Sequence, residues 1–229
     1  MAYQHIFFDL DHTLWDFERN ANETLSELFE NYNLKQHSQE PLEVFLQNFH
    51  SINNNLWDLY NVGKISQADL RNKRFNLVFK DFINFDRTQV FADEYLNKTP
   101  QKPHLIPFAK EILDYLSKKN YHLHIITNGF SDTQFIKLKS GEIHHYFKNV
   151  FTSSISGFKK PEIEMFEYAI SQSKANIENS IMIGDTIESD IIGALNAGID
   201  TVFYNPLAKT HNSKPTFEII NLNELKQIL

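Results

Sequence analysis

The stretch that decides the fold is His5-Ile6-Phe7-Phe8-Asp9-Leu10-Asp11-His12-Thr13. A short apolar run leads directly into two carboxylates, Asp9 and Asp11, with one residue between them. Continuous apolar runs of this kind are typical of strands that are buried on both faces of a parallel sheet. At a strand end, residues at i and i+2 can direct both side chains to one opening. By itself the Asp-x-Asp-x-Thr string is a weak signal, because a polar turn that caps a strand looks the same.

The same kind of apolar run returns along the chain and predicts further strands. Several runs end in a polar residue, as Asp9, Thr127, Asp185 and Asn205 illustrate. The six predicted strands are Ile6–Phe8, Leu123–Ile126, Val150–Ser153, Ile181–Ile183, Thr201–Tyr204 and Phe217–Ile220. Helical patterns lie between them, so the alternation predicts an α/β fold with a doubly wound, mainly parallel sheet of the Rossmann-like type.

Apolar residues at helical spacing mark the intervening helices. One stripe follows Pro107, and a second follows Pro161. Thr186 is expected to cap a helix that Gly198 closes. The two stripes consist of Ala109, Ile112, Leu113 and Leu116, and of Met165, Phe166, Ala169 and Ile170.

One region interrupts the alternation. Residues 16–98 show helical patterns and no convincing strand, which predicts a helical cap inserted into a catalytic core of residues 1–15 and 99–229. Gly63 is expected to end one helix, and Ser66 with Asp69 forms a plausible capping box for the next. Such an insertion is expected to cover the carboxyl edge of the sheet, where open α/β sheets bind ligands.

Composition narrows the functional classes. The chain has 229 residues and a net charge of −7, which argues against a nucleic-acid polymer as partner. It has no cysteine, so disulfides, thiolate metal sites and cysteine nucleophiles are excluded. Neither a signal peptide nor an apolar stretch of about 20 residues is visible, so a cytoplasmic protein without membrane association is expected.

Three further motifs stand at predicted strand or helix ends. Ile125 to Gly129 places the Thr127 hydroxyl and Asn128 before a glycine, where an anion can approach the backbone. Lys160 precedes Pro161 at a helix start, and lysine suits phosphate binding. Lys159, its neighbour, is expected to be solvated, although it could share the role. Asp185 and Asp190 follow the fourth strand. Each motif alone is common, as an ordinary turn, a solvated lysine or helix-capping acids.

Together and in this order, the motifs predict one active site. Several carboxylates would meet in one pocket, and two like charges 4 Å apart repel by about 4 kcal/mol at an effective dielectric constant of about 20. Such a cluster requires a cation. Because the available ligands are oxygen atoms, Mg²⁺ is the predicted cofactor.

The motifs resemble the haloacid dehalogenase superfamily of phosphatases, in that family's motif order. One departure is His12, where many members have glycine, at a position that contributes mainly backbone geometry. The resemblance implies that Asp9 is the nucleophile, forming an aspartyl-phosphate, and that Asp11 is the acid and base. It implies that Thr127, Asn128 and Lys160 bind phosphate. A dehalogenase has no alkoxide to protonate and lacks the acid at the position of Asp11.

The resemblance also implies how the metal is held. Mg²⁺ would be bound by the carboxylate of Asp9, the backbone carbonyl of Asp11 and the carboxylate of Asp185. Asp190 would support the metal through water or orient Lys160.

Within that superfamily the chain resembles the noncanonical pyrimidine nucleotidase branch, through Ile6 to Asp9, Ile126 to Phe130 and the segment from Leu56 to Phe75. That branch implies a 5′-nucleotidase that acts on pyrimidine nucleoside monophosphates, including modified ones. The expected substrate contacts in the cap are Trp57, Tyr60, Arg71 and Arg74, with Phe75 beside them. Aromatic rings and arginine can stack on a base, although the same spacing also suits helix packing.

Alternatives remain open at this point. A sugar-phosphate or phosphoglycolate phosphatase, or a phosphomutase, would have the same core. A non-catalytic phosphate-binding module is a third reading, which the complete set of motifs disfavours. His122 and His124 share one strand face, as metal ligands often do, but no third ligand is close in sequence, so a structural role is predicted for them.

Overall fold

The computed structural model describes residues 3–38 and 40–229. Its sheet has six strands in the order β3-β2-β1-β4-β5-β6, and every neighbouring pair is parallel. The strand order reverses at the pair β1 and β4, where open sheets of this type bind ligands. The strands are β1 (His5–Phe8), β2 (His122–Thr127), β3 (Phe147–Thr152), β4 (Ser180–Gly184), β5 (Asp200–Tyr204) and β6 (Phe217–Ile219).

In the described part of the chain, ten α-helices and several shorter helical turns accompany the sheet. The α-helices are α1 (Phe17–Asn31), α2 (Leu34–Ser38), α3 (Leu42–Asn61), α4 (Gln67–Val78), α5 (Thr88–Lys98), α6 (Ala109–Lys118), α7 (Ser131–Ser140), α8 (Ser153–Ser156), α9 (Ile163–Ser173) and α10 (Gly193–Asn196). A π-helical turn, Ile187–Ile192, leads into α10, and 3₁₀ turns cover Thr99–Gln101, His144–Tyr146, Ile177–Asn179 and Leu222–Gln227.

The sheet is buried on both faces, as the apolar strand patterns predict. Alternate residues of β1 enter different cores: Ile6 and Phe8 pack with α6, whereas Phe7 packs with α9. The predicted stripes on α6 and α9 face these cores, with Ile170 at the margin of its stripe. Helices on both faces of a parallel sheet confirm the predicted doubly wound α/β fold.

Several sequence predictions about element ends are wrong, most by a single residue. The third strand begins at Phe147 rather than Val150, and Ser153 belongs to α8 instead of that strand. The last strand ends at Ile219. The Thr186 hydroxyl does not cap the following helix; the carboxylate of Asp190 accepts a hydrogen bond from the Thr186 backbone N–H instead, at 3.0 Å. The carboxylate is the stronger acceptor and, four residues further on, lies within reach of that orphan donor.

The chain forms two compact units, one of residues up to Phe17 together with Pro103–Leu229, the other Glu18–Lys102. The first contains the sheet. Within it, the two connecting segments are paired: the Asp16 N–H donates to the His104 carbonyl at 3.1 Å, and the Ile106 N–H donates to the Leu14 carbonyl at 2.9 Å. The cap role of the second unit, with the predicted bounds 16–98, stays a prediction.

The second unit contains helices and no strand among its described residues, as predicted. Its core is a cluster of aromatic rings from three helices, in which Phe75 contacts Phe49, Phe79, Phe91 and Tyr95 at centroid distances of 5.1–5.9 Å. Gly63 ends α3 in the left-handed region at φ 73°, where glycine is favoured. Ser66 and Asp69 form the predicted capping box of α4.

Candidate active site

A buried lysine joins two carboxylates at the carboxyl edge of the sheet. Lys160 Nζ donates to Asp9 Oδ1 and to Asp190 Oδ1, each at 2.6 Å. All three side chains are buried, and Lys160 is only 2% exposed. Asp9 follows β1 directly, and its backbone N–H donates to the Ile183 carbonyl of β4 at 2.9 Å. The two central strands therefore fix the position of Asp9, and the two acids offset the cost of burying the lysine.

The loop after β2 fixes the main chain of this lysine. Asn128 Nδ2 donates to the Lys160 carbonyl, and the Lys160 N–H donates to Asn128 Oδ1, both at 2.8 Å. Asn128 was predicted to bind phosphate, and in this arrangement its side-chain amide is used by the Lys160 backbone. Thr127, at the end of β2, is 2% exposed, and its hydroxyl accepts from the Gly129 N–H at 3.0 Å. Lys159 is half-buried, and its backbone N–H donates to Glu162 Oε2 at 3.1 Å.

The electrostatics of this group are those of crowded carboxylates. Burial raises the pKa of Asp9 well above its usual range; the ion pair with Lys160 lowers it, and the charges of Asp190 and Asp185 raise it further. Burial lowers the pKa of Lys160, but the carboxylates of Asp190 and Asp9 outweigh it, so the net shift is upward and the lysine stays charged. The site therefore gathers more carboxyl groups than its one lysine can neutralise.

Asp185 follows β4 and completes the acidic group. Its Oδ1 accepts a hydrogen bond from the Thr13 hydroxyl at 2.9 Å. Burial and the charge of Asp190 raise the pKa of Asp185 to about 6, although His12 and the Thr13 hydrogen bond lower it. A carboxyl group with this pKa is in a place that favours a bound cation or a proton.

Three carboxylates, those of Asp9, Asp185 and Asp190, have oxygen atoms that all lie within 4.8 Å of one another. The donor set consists of oxygen alone and is rich in negative charge, which fits a hard divalent cation such as Mg²⁺. Asp190, expected in a supporting position, is part of this group. The Asp11 carboxylate is not, because it is held by other residues.

The Asp11 carboxylate is bound by two residues of α7 that sequence reasoning missed. Lys137 Nζ donates to Oδ1 at 2.6 Å and to Oδ2 at 2.8 Å, and Gln134 Nε2 donates to Oδ2 at 3.0 Å. Both are buried on one face of α7, at positions i and i+3. Sequence alone carries no signal for this contact, because it does not show which face of α7 meets the loop that follows β1.

Two glycines give these side chains their space. A Cβ atom on Gly129 would lie 1.7 Å from Gln134 Nε2, and one on Gly184 would lie 2.3 Å from Asp190 Oδ2. Both positions therefore exclude any side chain. The role predicted for Gly129 was backbone approach to an anion, and the structure adds that it admits Gln134.

Residues 6–204 match the haloacid dehalogenase-like hydrolase family. The chain belongs to this family. The resemblance drawn from the motifs is thereby confirmed, as is the predicted enzyme class, a hydrolase.

Individual members of the family are similar over their whole length. The chain is 32% identical to pyrimidine 5′-nucleotidase PynA of Streptococcus pneumoniae, covering 100% of this chain and 96% of that protein. It is 30% identical to pyrimidine 5′-nucleotidase YjjG of Escherichia coli, covering 100% and 99%. The crystal structure of the HAD-hydrolase YfnB of Bacillus subtilis superimposes with a TM-score of 0.89 at 30% identity, covering 100% and 99%. That structure has bound magnesium and reveals interdomain movement.

One departure from the haloacid dehalogenase-like pattern has a clear geometry. His12 replaces the glycine of many members and lies in the left-handed region at φ 65°, which explains why glycine suits the position. Its ring packs beside Phe17 at a centroid distance of 5.1 Å. A non-glycine residue is tolerated there at a modest strain cost.

The predicted substrate residues of this hydrolase lie in the second unit. Trp57 and Tyr60 form an edge-to-face pair at 5.5 Å on α3. On α4, Arg71 is half-buried, whereas Arg74 is only 6% exposed. The Arg74 guanidinium lies 5.8 Å from the centroid of the Tyr95 ring. No helix among the described residues is both long enough and apolar enough to cross a membrane.

Proposed function

We propose that the protein is a Mg²⁺-dependent phosphomonoester hydrolase that acts through an aspartyl-phosphate on Asp9. The observation that carries this proposal is the buried group at the switch point of the sheet, in which Asp9 contacts Lys160 beside Asp185 and Asp190. It combines a nucleophile, a fixed cation and an acidic cluster. These are the parts that attack on a phosphate monoester requires.

Magnesium fits the acidic cluster for an electrostatic reason. The raised pKa values of Asp9 and Asp185 reflect burial and mutual repulsion, and a divalent cation relieves the repulsion. The carboxylates of Asp9 and Asp185 and the Asp11 backbone carbonyl would hold it. When bound, Mg²⁺ neutralises phosphoryl oxygens during transfer. The Asp190 carboxylate accepts hydrogen bonds from Lys160 Nζ and from the Thr186 N–H. We therefore propose that the role of Asp190 is to orient Lys160.

The remaining roles follow from what each side chain contacts. Lys160, held by Asn128 through its backbone, presents a fixed positive charge for the phosphoryl oxygens. The Thr127 hydroxyl and the backbone N–H groups after β2 complete the phosphate contacts. Asp11 protonates the leaving alcohol and then activates water. An acid at this position favours a phosphate ester over a carbon–halogen bond, which releases no alkoxide.

For the substrate, we propose pyrimidine nucleoside 5′-monophosphates, including modified ones. The similarity to PynA and YjjG along the whole chain supports this choice. A buried charge in the second unit supports it independently. Among the described residues no carboxylate pairs with Arg74, whose pKa is lowered by burial and by the nearby charge of Arg71, against an opposing effect of Tyr95. A buried guanidinium without an acid is costly, and electronegative groups such as the carbonyl oxygens of a pyrimidine would satisfy it.

The aromatic pair adds a second recognition element. Trp57 is half-buried and presents a flat ring beside Tyr60. Stacking recognises a base by its π-face and tolerates substituents at its edge, and it contributes about 1–3 kcal/mol per base. A sugar phosphate would need hydroxyl partners instead.

The test is a phosphate-release screen with and without Mg²⁺. Its substrates are thymidine, uridine and purine monophosphates, phosphoglycolate, hexose phosphates and an aryl phosphate. We expect a pyrimidine nucleotide to have the highest kcat/KM, with activity lost in chelator and restored by Mg²⁺. A non-nucleotide leading by an order of magnitude would reject the nucleotidase assignment alone. Full activity in excess chelator would reject the proposed Mg²⁺ dependence. No phosphate release from any ester would reject the proposed phosphatase activity.

Variants of the second unit sharpen the substrate assignment. Trp57→Ala or Arg74→Ala should lower kcat/KM for the nucleotide about 10- to 100-fold and spare the aryl phosphate. The matched control is Arg87→Ala, since Arg87 is an exposed arginine of the same unit that also lies over a tyrosine, 4.6 Å from the Tyr32 centroid. Equal losses on both substrates would indicate damage to the fold instead of lost recognition.

A further inference from the structure

The side-chain carboxylate of Asp11 is restrained by two residues of α7. Its two oxygens receive three hydrogen bonds, two from Lys137 and one from Gln134. In a loop after a strand, an aspartate without such contacts turns freely between staggered rotamers. A donor on each oxygen removes that freedom, so the carboxylate is presented in one orientation.

Lys137 itself is fixed. It is buried, its Nζ lies 4.5 Å from the centroid of the fully buried Trp15 ring and 5.9 Å from that of Phe17, and in the part of the chain that the structure describes Asp11 is the one carboxylate paired with it. An ammonium between an aromatic face and a carboxylate has little room to move. The cation therefore transmits the position of α7 to the acid.

Gln134 approaches Asp11 only because residue 129 has no side chain. A Cβ there would overlap Gln134 Nε2 and would lie 2.4 Å from its Cδ. The glycine that ends the Thr127 motif thus places a helix residue against the side chain of Asp11. Motif and helix act on the same carboxylate from two directions.

We propose that Lys137 and Gln134 are positioning residues for the acid/base Asp11, a role that rests on the proposed phosphatase function. Neither contacts the reacting phosphoryl group in this assignment. They hold the carboxylate where it meets the leaving oxygen, and a displacement of about 1 Å at such a group can reduce the rate about 100-fold. The alternative is that the pair only docks α7 on the core.

The experiment compares Lys137→Met, Lys137→Arg and Gln134→Ala with wild type at saturating Mg²⁺. Methionine retains the packing on Trp15 without the charge. The control is Lys139→Met, an exposed lysine on the same helix. Each variant is assayed on the preferred nucleotide and on 4-nitrophenyl phosphate, and kcat/KM is compared because it includes the departure of the leaving group. Thermal unfolding is measured in parallel.

We expect Lys137→Met to lower kcat/KM about 10- to 100-fold on the nucleotide and less than about threefold on the aryl phosphate, whose leaving group scarcely needs a proton. The loss should be in kcat, with KM nearly unchanged. Lys137→Arg should recover most of the activity, Gln134→Ala should show a smaller loss of the same kind, and Lys139→Met should match wild type.

Equal losses on both substrates, a loss confined to KM, or full activity of a folded Lys137→Met protein would each overturn the positioning role. If Lys137→Met does not fold, Gln134→Ala decides by the same substrate comparison. Wild type that releases phosphate from neither ester would instead reject the proposed function, so the two failures are distinguishable.

Discussion

The two ends of the central strands bury titratable groups in opposite ways. At the carboxyl ends, Asp9, Asp190 and Lys160 form a charged network with nearly no exposed surface. At the amino ends, three histidines meet. His5 Nδ1 lies 3.1 Å from His124 Nε2, and the His5 ring lies 4.9 Å from that of His122.

The histidine cluster is kept neutral. Burial, with smaller contributions from His5, His122 and Lys148, lowers the pKa of His124 to about 4, although a hydrogen bond with Asn149 raises it. The pKa values of His5 and His122 are also lowered, by burial first. The His124 ring stacks on His5 and on Phe7 as an apolar group would, and the His122 ring meets His5 edge to face.

The difference teaches how one sheet separates function from packing. Buried charge is kept where opposite charges, or a cation, can compensate it, and it is suppressed where the neighbours are rings and a lysine. A titratable side chain on a buried strand is therefore compensated by other charges at one end of the strand and packed as a neutral group at the other.

The largest effect is expected for a substitution at the carboxyl ends of the central strands. Asp9→Asn should reduce kcat by more than about 10³-fold, because an amide cannot attack phosphorus. Its matched control is His122→Gln at the other end, which should retain activity within about threefold. Trapping with beryllium fluoride should place the adduct on Asp9. Substantial turnover by the Asn variant would exclude the covalent mechanism.

The second effect distinguishes the proposed acid role of Asp11 from the proposed nucleophile role of Asp9. Asp11→Asn should lower kcat/KM for a nucleotide about 10²- to 10⁴-fold, and much less for an aryl phosphate. A Mg²⁺ titration of the variant checks that metal binding is intact. If both substrates lose equally with normal metal binding, Asp11 is not the acid.

The third effect tests the amino end through pH. A depressed histidine pKa means that stability is complete above the unfolded value of about 6.5 and is lost as pH falls through the folded value of about 4. Between pH 7.5 and 5 the wild type should lose about 2 kcal/mol of unfolding free energy at His124. His124→Phe, which keeps the stack, should remove that loss. The exposed His145→Phe is the control, and an unchanged pH profile for His124→Phe would show that the cluster does not titrate as described.

The smallest effect has the opposite sign and belongs to the carboxyl end. A raised carboxyl pKa gives stability that is present below the unfolded value and lost as pH rises through about 6. In chelator, the wild type should lose about 1 kcal/mol between pH 5 and 7.5 at Asp185. Asp185→Asn should remove this loss, and Mg²⁺ should compensate it in the wild type. Glu188→Gln, exposed nearby, should behave as wild type, and a wild type indifferent to both pH and Mg²⁺ would contradict the crowding of charge.

The residues at the carboxyl ends of the strands could be predicted from the sequence better than the histidine contacts at the amino ends. Asp9 and Asp185 were predictable because an apolar run that ends in an acid specifies both the strand and the edge where the acid emerges. The contact between Lys137 and Asp11 was not predictable, since the sequence does not say which face of α7 meets which strand end. His5 escaped notice as a neighbour of His124 because their contact depends on the pairing of β1 with β2. The direction of Asp190 depended in the same way on Gly184, whose missing side chain only the structure shows to be needed.

The paired connecting segments at Leu14–Asp16 and His104–Ile106 have a consequence for the origin of new specificities. The outgoing and returning chains are hydrogen-bonded to each other. The inserted unit is therefore attached to the hydrolase core like a single loop, with its two ends side by side. Such a junction tolerates exchange of everything beyond it, as circular permutation and domain insertion do at sites with adjacent termini. A grafted helical unit from another member, or a short turn in its place, would leave the register of β1 untouched, which makes this junction a natural place for recombination.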